Sequence, residues 1–181
     1  MAPRRTCHRA RKSRSKGGSG TGKSTLIRAM AGLWPWGSGE ILRQIGASVF
    51  FMPQRPCFSL GTLRVALFYP HHDLEVDHGK INEALVRCGL EHLMPRHLIP
   101  RIEETEQWGT LLSAGEQRRL AFARVLINPP DILIMDEPTS SLDELSQFKL
   151  VDCVRDLLVT TTVIHAGHRQ GLDSFHDHEI H

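Results

Sequence analysis

The chain has 181 residues, 40% hydrophobic and 23% charged, which is enough for one ordinary globular domain and too little for two. No apolar run approaches the roughly 20 residues of a membrane-spanning helix, so any membrane part is expected from another chain or from coding sequence lost upstream. The net charge of +2 is uneven: residues 1–16 hold seven Lys/Arg and no acid, and the remainder holds 15 basic against 20 acidic residues, so basicity speaks for nucleic acid only through the tail.

Residues 1–16 show no hydrophobic period and read as a disordered basic arm. The four cysteines are scattered without a CxxC pair and fit a reducing compartment. Next comes Gly17-Gly18-Ser19-Gly20-Thr21-Gly22-Lys23-Ser24, which fits G-x-x-x-x-G-K-[ST] at every fixed position. Glycines let the backbone turn its N–H groups onto a polyphosphate. Lys23 would supply a point charge for β- and γ-phosphates, and the Ser24 hydroxyl is placed to ligate Mg²⁺. Thr25 to Ala31 reads as a helix whose N-terminal dipole faces the same phosphates, and Thr25 counts with the nucleotide-binding set. A Gly/Ser linker matching by chance is set aside, because the motif leads straight into an apolar helix.

A phosphate loop normally follows a buried strand, and Ala10 to Lys16 lacks the apolar pattern of one. Three accounts of the arm stand open: a nucleic-acid or anionic-lipid arm, an Arg/Ser-rich targeting segment, or a foreign N-terminus replacing the natural strands. The last is preferred because it alone explains the missing strand.

Beyond the first helix, Leu33 to Gly39 is turn-rich and Glu40-Ile41-Leu42 reads as a short strand. Ala47 to Met52 is a continuous apolar run expected to be a strand buried on both faces, stopping at Pro53. From Arg55 the character becomes helical, with Ile81, Ala84, Leu85 and Cys88 at i, i+3, i+4 and i+7 before Gly89. Ser113 to Glu116 is a capping box opening a helix through Ile127, on which Arg118, Arg119 and Arg124 are expected to form the polar face. Ile132 to Met135 is a second buried strand ending in Asp136-Glu137. Ser141 to Glu144 reads as another capping box, before a helix presenting Leu145, Phe148, Val151, Val154 and Leu158 on one face. Thr160 to His165 is a third core strand.

In parallel α/β sheets ligands gather at the carboxyl ends of strands. Asp136 there would hold Mg²⁺ through its water shell, and Glu137 would be the general base for an attacking water. The closely spaced His176, His178 and His181 are read as solvated rather than metal-binding. Trp34 and Trp36 are read as packing near the helical region rather than as a nucleic-acid platform.

The residues together resemble the nucleotide-binding domain of ABC transporters. Leu112-Ser113-Ala114-Gly115-Glu116-Gln117 looks like the LSGGQ signature, Gln54 fits the Q-loop, Ser141-Leu142-Asp143 the D-loop, and Gly167-His168-Arg169 the switch-histidine motif. Gly32 to Gly39, Pro53 to Pro56 and Gly61 to Arg64 are most similar to subfamily D, the peroxisomal fatty-acyl transporters, and to bacterial relatives with fused permease and ATPase.

The resemblance implies an α/β phosphate-loop NTPase (RecA-like) fold with a mostly parallel sheet. The arm would be residues 1–16 and the cassette 17–181, its core being 17–54 and 128–181 with a helical insertion at 55–127. It further implies ATP and Mg²⁺ as cofactors. A second cassette, as a homodimer, would bring Ser113, Ala114, Gly115, Glu116 and Gln117 to the partner's γ-phosphate. Gln54 would sense Mg²⁺ and water, His168 would contact the γ-phosphate and help orient Glu137, and Asp143 would work across the seam. The setting would be the cytoplasmic face of the inner membrane, beneath a permease. Family members also carry an adenine-stacking aromatic ahead of the loop, which Met1 to Lys16 cannot supply. Two other functions remain open: a non-catalytic cassette fragment, and a non-transport cassette ATPase using the arm on nucleic acid. Nucleic acid is not the partner expected.

Overall fold

The computed structural model describes residues 12–15, 22–58, 60–69, 77–94, 105–139, 142–166 and 178–180. Its frame is a five-stranded parallel sheet. In chain order the strands are β1 (Lys12–Ser15), β2 (Val49–Met52), β5 (Ile132–Asp136), β6 (Thr162–Ala166) and β7 (His178–Ile180), arranged β2-β5-β6-β1-β7. β3 (Gly61–Thr62) and β4 (Thr105–Glu106) form a separate antiparallel pair. The α/β, mostly parallel architecture is the one expected.

Strand β1 corrects the reading of the arm. Lys12–Ser15 pairs in parallel with β6 on one side, Ser13 opposite Ile164, and with β7 on the other, Ser13 opposite His178. A strand therefore stands ahead of the phosphate loop after all. Ladder bonds use backbone groups that every non-proline residue carries, so four residues without an apolar pattern can still fill a central place between two partners.

The helices are α1 (Lys23–Met30), α2 (Leu63–Phe68), α3 (His78–Arg87), α4 (Trp108–Leu111), α5 (Ala114–Ile127) and α6 (Glu144–Leu157). α1 covers one face of the sheet, where Ile27 is buried against Ile134 and Ala166. On the other face Leu133, Met135 and Val163 join one continuous cluster with Leu120 and Phe122 of α5, Leu150 and Val154 of α6, and Leu67, Ile81 and Leu85. Alternation along β5 explains the division: Ile134 points one way, Leu133 and Met135 the other. At the strands' leading ends, Ser48 donates through N and Oγ to Asp131 Oδ2, each over 2.8 Å, and Thr161 Oγ1 donates to Pro130 O at 2.7 Å.

Several local expectations change. Glu40 to Leu42 forms no strand, and Ile41 and Leu42 are exposed. β2 is only half-buried up to Met52, because it is the sheet's edge rather than an interior strand. Helix α6 is capped by Asp143, whose carboxylate accepts from Ser146 N at 2.9 Å; Ser141 lies outside the described residues. The buried stripe of α6 is Gln147, Leu150 and Val154, while Leu145 is 75% and Phe148 53% exposed. Trp34 and Trp36 pack edge-to-face, ring centroids 4.9 Å apart, and both stay exposed instead of packing into the helical region.

The polar face expected of α5 is likewise absent for Arg118 and Arg124, both buried. Arg124 donates through Nε to Ala66 O and lies 4.2 Å above the Phe58 ring, so a cation ties α2 to α5. Burial pulls its pKa down to about 10, which leaves it charged at neutral pH. The helix lies in the centre of the structure, and long guanidinium stems can satisfy carbonyls there.

Candidate nucleotide site

The site is built where α1 meets the carboxyl ends of β5 and β2. Gly22 caps α1 with φ of +82°, a left-handed conformation that favours glycine. Lys23 and Ser24 are the first two helical residues, so their backbone N–H groups point out of the N-terminal end of α1. Ser24 Oγ donates to Asp136 Oδ1 at 3.0 Å. Asp136 is buried at the last position of β5, with Arg28 Nη2 3.9 Å from its other oxygen. Arg28 stands one turn after Ser24 on the same face of α1, a spacing that could have been read from the sequence.

Beside this pair, Gln54 Nε2 donates to Glu137 Oε2 at 2.8 Å, joining the turn after β2 to the turn after β5. Glu137 has φ of +45°, the one positive value among described non-glycine residues. Its N–H donates to Ala166 O at 2.9 Å, and its carbonyl accepts from Arg118 Nη1 at 2.8 Å. A non-glycine residue in that region is held by its surroundings, and such strain gathers at functional sites. Arg118 also donates through Nη2 to Gln54 O. Sequence reasoning missed Arg118, because a charge on a helix is read as solvated by default.

The structure thus gathers Ser24, Asp136, Gln54 and Glu137. The donors Ser24 and Asp136 are hard oxygens, with the Gln54 amide close to Glu137. A hydroxyl and one carboxylate, completed by waters and phosphates, form a set suited to Mg²⁺. Among the described residues no cluster of three His/Cys/Asp/Glu exists that would suit another metal.

The remaining site residues serve their own helices. Ser113 caps α5 in a full capping box: Ser113 Oγ accepts from Glu116 N, and Glu116 Oε2 accepts from Ser113 N at 2.9 Å. Hydrogen bonds from Ser113 hold the Glu116 carboxyl below its ordinary range, helped by His92, whose Nε2 lies 2.9 Å from Oε1. Gln117 Nε2 donates to Gly109 O and Leu112 O, at 2.8 and 2.9 Å, fixing the turn from α4 into α5. Ala114 and Gly115 form the first turn of α5. Gly17, Gly18, Ser19, Gly20, Thr21 and His168 lie outside the described residues.

Comparison with known proteins decides the family. The ABC transporter family model matches residues 7–140, reaching back into the basic arm. The chain belongs to the ABC transporter family, as an ATP-binding domain. It is 44% identical over 160 residues to an uncharacterized ABC transporter ATP-binding protein of Synechocystis, covering 88% of this chain and 24% of that one. It is 37% identical over 168 residues to the human lysosomal cobalamin transporter ABCD4, covering 88% and 27% respectively. Arabidopsis ABC transporter D family member 1 is 36% identical over 171 residues, covering 89% and 12%. The cassette is therefore related to subfamily D and to bacterial ATP-binding proteins. A solved bacterial Atm1-family ABC exporter with ATP bound shares the fold, with a TM-score of 0.77 at 24% identity over 92% of this chain and 31% of that one. The chain spans about a quarter of the length of the first two of these curated relatives. Among the described residues no helix is long and apolar enough to cross a membrane.

Proposed function

We propose that this cassette binds Mg-ATP and hydrolyses it, two copies closing head to tail over two nucleotides, to power transport through a permease. The adjacent hydrogen-bonded pairs Ser24–Asp136 and Gln54–Glu137 carry the reading. They put a metal-suited oxygen set beside a carboxylate able to take a proton.

Lys23, with Gly17 to Gly22 and Thr25, binds the phosphates at the N-terminus of α1, where the helix dipole favours anions. Ser24, Gln54 and Asp136 would hold Mg²⁺, and the ion would offset charge on the phosphate oxygens. Glu137 accepts the proton of the attacking water, Gln54 orients that carboxylate, and His168 contacts the γ-phosphate. The Ser113–Gln117 turn at the N-terminus of α5 faces the phosphate bound by the partner cassette, and Asp143 stands near the seam.

A groove of about 460 Å³ lies beside Gln54, lined by Leu33, Phe50, Pro53, Pro56, Tyr69 and Arg124. Its apolar walls between sheet edge and helical region suit a permease segment, which would hold the cassette at the cytoplasmic face of a membrane. Phosphate release from Mg-ATP by the purified chain tests the hydrolysis. Release that disappears in Glu137→Gln supports it; none from a parent chain shown to bind Mg-ATP overturns it.

A further inference from the structure

Arg118 is 2% exposed, and its two terminal nitrogens reach two backbone carbonyls: Nη1 donates to Glu137 O at 2.8 Å and Nη2 to Gln54 O. The same two residues bond each other through their side chains, Gln54 Nε2 to Glu137 Oε2. The turns after β2 and β5, 83 residues apart in sequence, are thus joined twice. One join is exposed; the other comes from a buried side chain on a helix packed against the sheet. Glu137 also has its left-handed backbone fixed at both polar groups, by Ala166 O on one side and by Arg118 on the other. Desolvation lowers the pKa of the guanidinium, while the charges of Glu137 and Asp136 act against that.

We infer that Arg118 is a positioning residue that locks the Gln54 and Glu137 turns into one unit, so that the water-activating carboxylate and the amide that orients it move together. A planar guanidinium serves two acceptors at once; an ammonium is a point charge and serves them one at a time. Arg118 stands five residues after Ser113 on α5. The helix capped by Ser113 is therefore linked to the turns of Glu137 and Gln54 through this one guanidinium. The inference rests on the hydrolytic reading above for its consequence, but not for its geometry.

The test uses the whole chain carrying Arg118→Lys or Arg118→Met. Hydrogen exchange comes first and needs no turnover. Residues 51–55 and 136–139 should lose protection together, while α3 and α6 keep theirs. Loss in one turn alone, no loss, or a uniform rise across the chain overturns the lock. In turnover, kcat should fall about 10- to 100-fold, the usual cost of misplacing a reacting group, with nucleotide affinity held. Adding Arg118→Met to Glu137→Gln should slow hydrolysis no further, because both changes remove one function. Additive losses, or an unchanged kcat in a chain whose turns have loosened, overturn the positioning role. If the parent chain binds Mg-ATP without turnover, the hydrolytic reading fails, and exchange alone decides whether Arg118 locks the two turns.

Discussion

Ser24 and Asp136 stand 112 residues apart in sequence, and the serine hydroxyl donates to the aspartate over 3.0 Å. The bond ties the first turn of α1 to the end of β5, setting an oxygen pair where phosphate oxygens and Mg²⁺ would meet. Either partner should therefore matter through the ion. Asp136→Asn and Ser24→Ala are expected to raise the Mg²⁺ concentration needed for half-maximal nucleotide binding by about 10-fold or more, typical of disturbed metal sites. Lys23→Ala should lower affinity for nucleotide with or without the ion, since it removes a charge-assisted contact to phosphate. Titration of each variant with and without Mg²⁺ separates the two effects. Identical Mg²⁺ dependence in all three would dissolve the assignment of Ser24 and Asp136.

Glu137→Gln keeps the size of the side chain and removes its basic oxygen. It should spare Mg-ATP binding and reduce hydrolysis by roughly 10²–10⁴-fold. With turnover stalled, the ATP-bound dimer should accumulate, and Ser113→Arg should block it by placing bulk and charge at the N-terminus of α5. Light scattering with and without ATP reads both results. A Glu137→Gln protein that binds ATP yet stays monomeric would argue against head-to-tail closure for this chain.

What was legible in the sequence was what chemistry or periodicity forces. Ile132–Asp136 is apolar up to its acidic end, and Ser113 to Glu116 forms a capping box, so β5 with Asp136 at its end and the start of α5 were readable. Lys12–Ser15 was not, because its place as a strand comes from backbone pairing on both sides rather than from side chains. Helix α6 carries two overlapping apolar stripes, and only the position of α5 and the sheet selects the one with Gln147 in it. Arg118 and Arg124 escaped because burying a cation is costly unless carbonyls are waiting, and those carbonyls lie far away in sequence.

The place of β1 between β6 and β7 can be tested with proline. Each residue of an interior strand gives its N–H to one neighbour or the other, and proline has none to give. Ser13→Pro or Arg14→Pro should lower the melting temperature, because each removes a donor from, and imposes a fixed φ on, a strand paired on both sides. Scanning calorimetry against the parent checks it. No shift for either variant would restore the arm to the status of a dispensable tail.

The two stripes of α6 make opposite forecasts. Leu150 is fully buried in the main cluster, so Leu150→Ala should cost about 2–5 kcal/mol. Leu145 and Phe148 are exposed, and Leu145→Ser or Phe148→Ser should change the stability of the isolated chain by no more than about 0.5 kcal/mol. Denaturant unfolding of the three variants decides between the stripes. A large loss from Leu145→Ser would mean that the exposed face is covered in solution.

The cap on α5 gives a pH signature with a definite sign. Hydrogen bonds from the Ser113 side chain and backbone, then the charge of His92, hold Glu116 below the ordinary glutamate value of 4.5. A folded-state pKa below the unfolded one means that the unfolded chain binds more protons across that window, so stability rises with pH there. The contribution of Glu116 is present above about pH 4.5 and is lost as pH falls through its lowered folded-state value. Because the carboxylate lies near the surface and is only partly buried, the effect should be modest and weakened by salt. Glu116→Gln retains an acceptor for Ser113 N but cannot ionise, so its melting temperature should approach that of the parent as the solution is acidified and fall below it near neutrality. Parallel melts from pH 3 to pH 7, at low and high salt, provide the comparison. A constant gap between the two proteins across that range would mean that Glu116 supports the signature turn by shape and hydrogen bonding alone, with no part played by its charge.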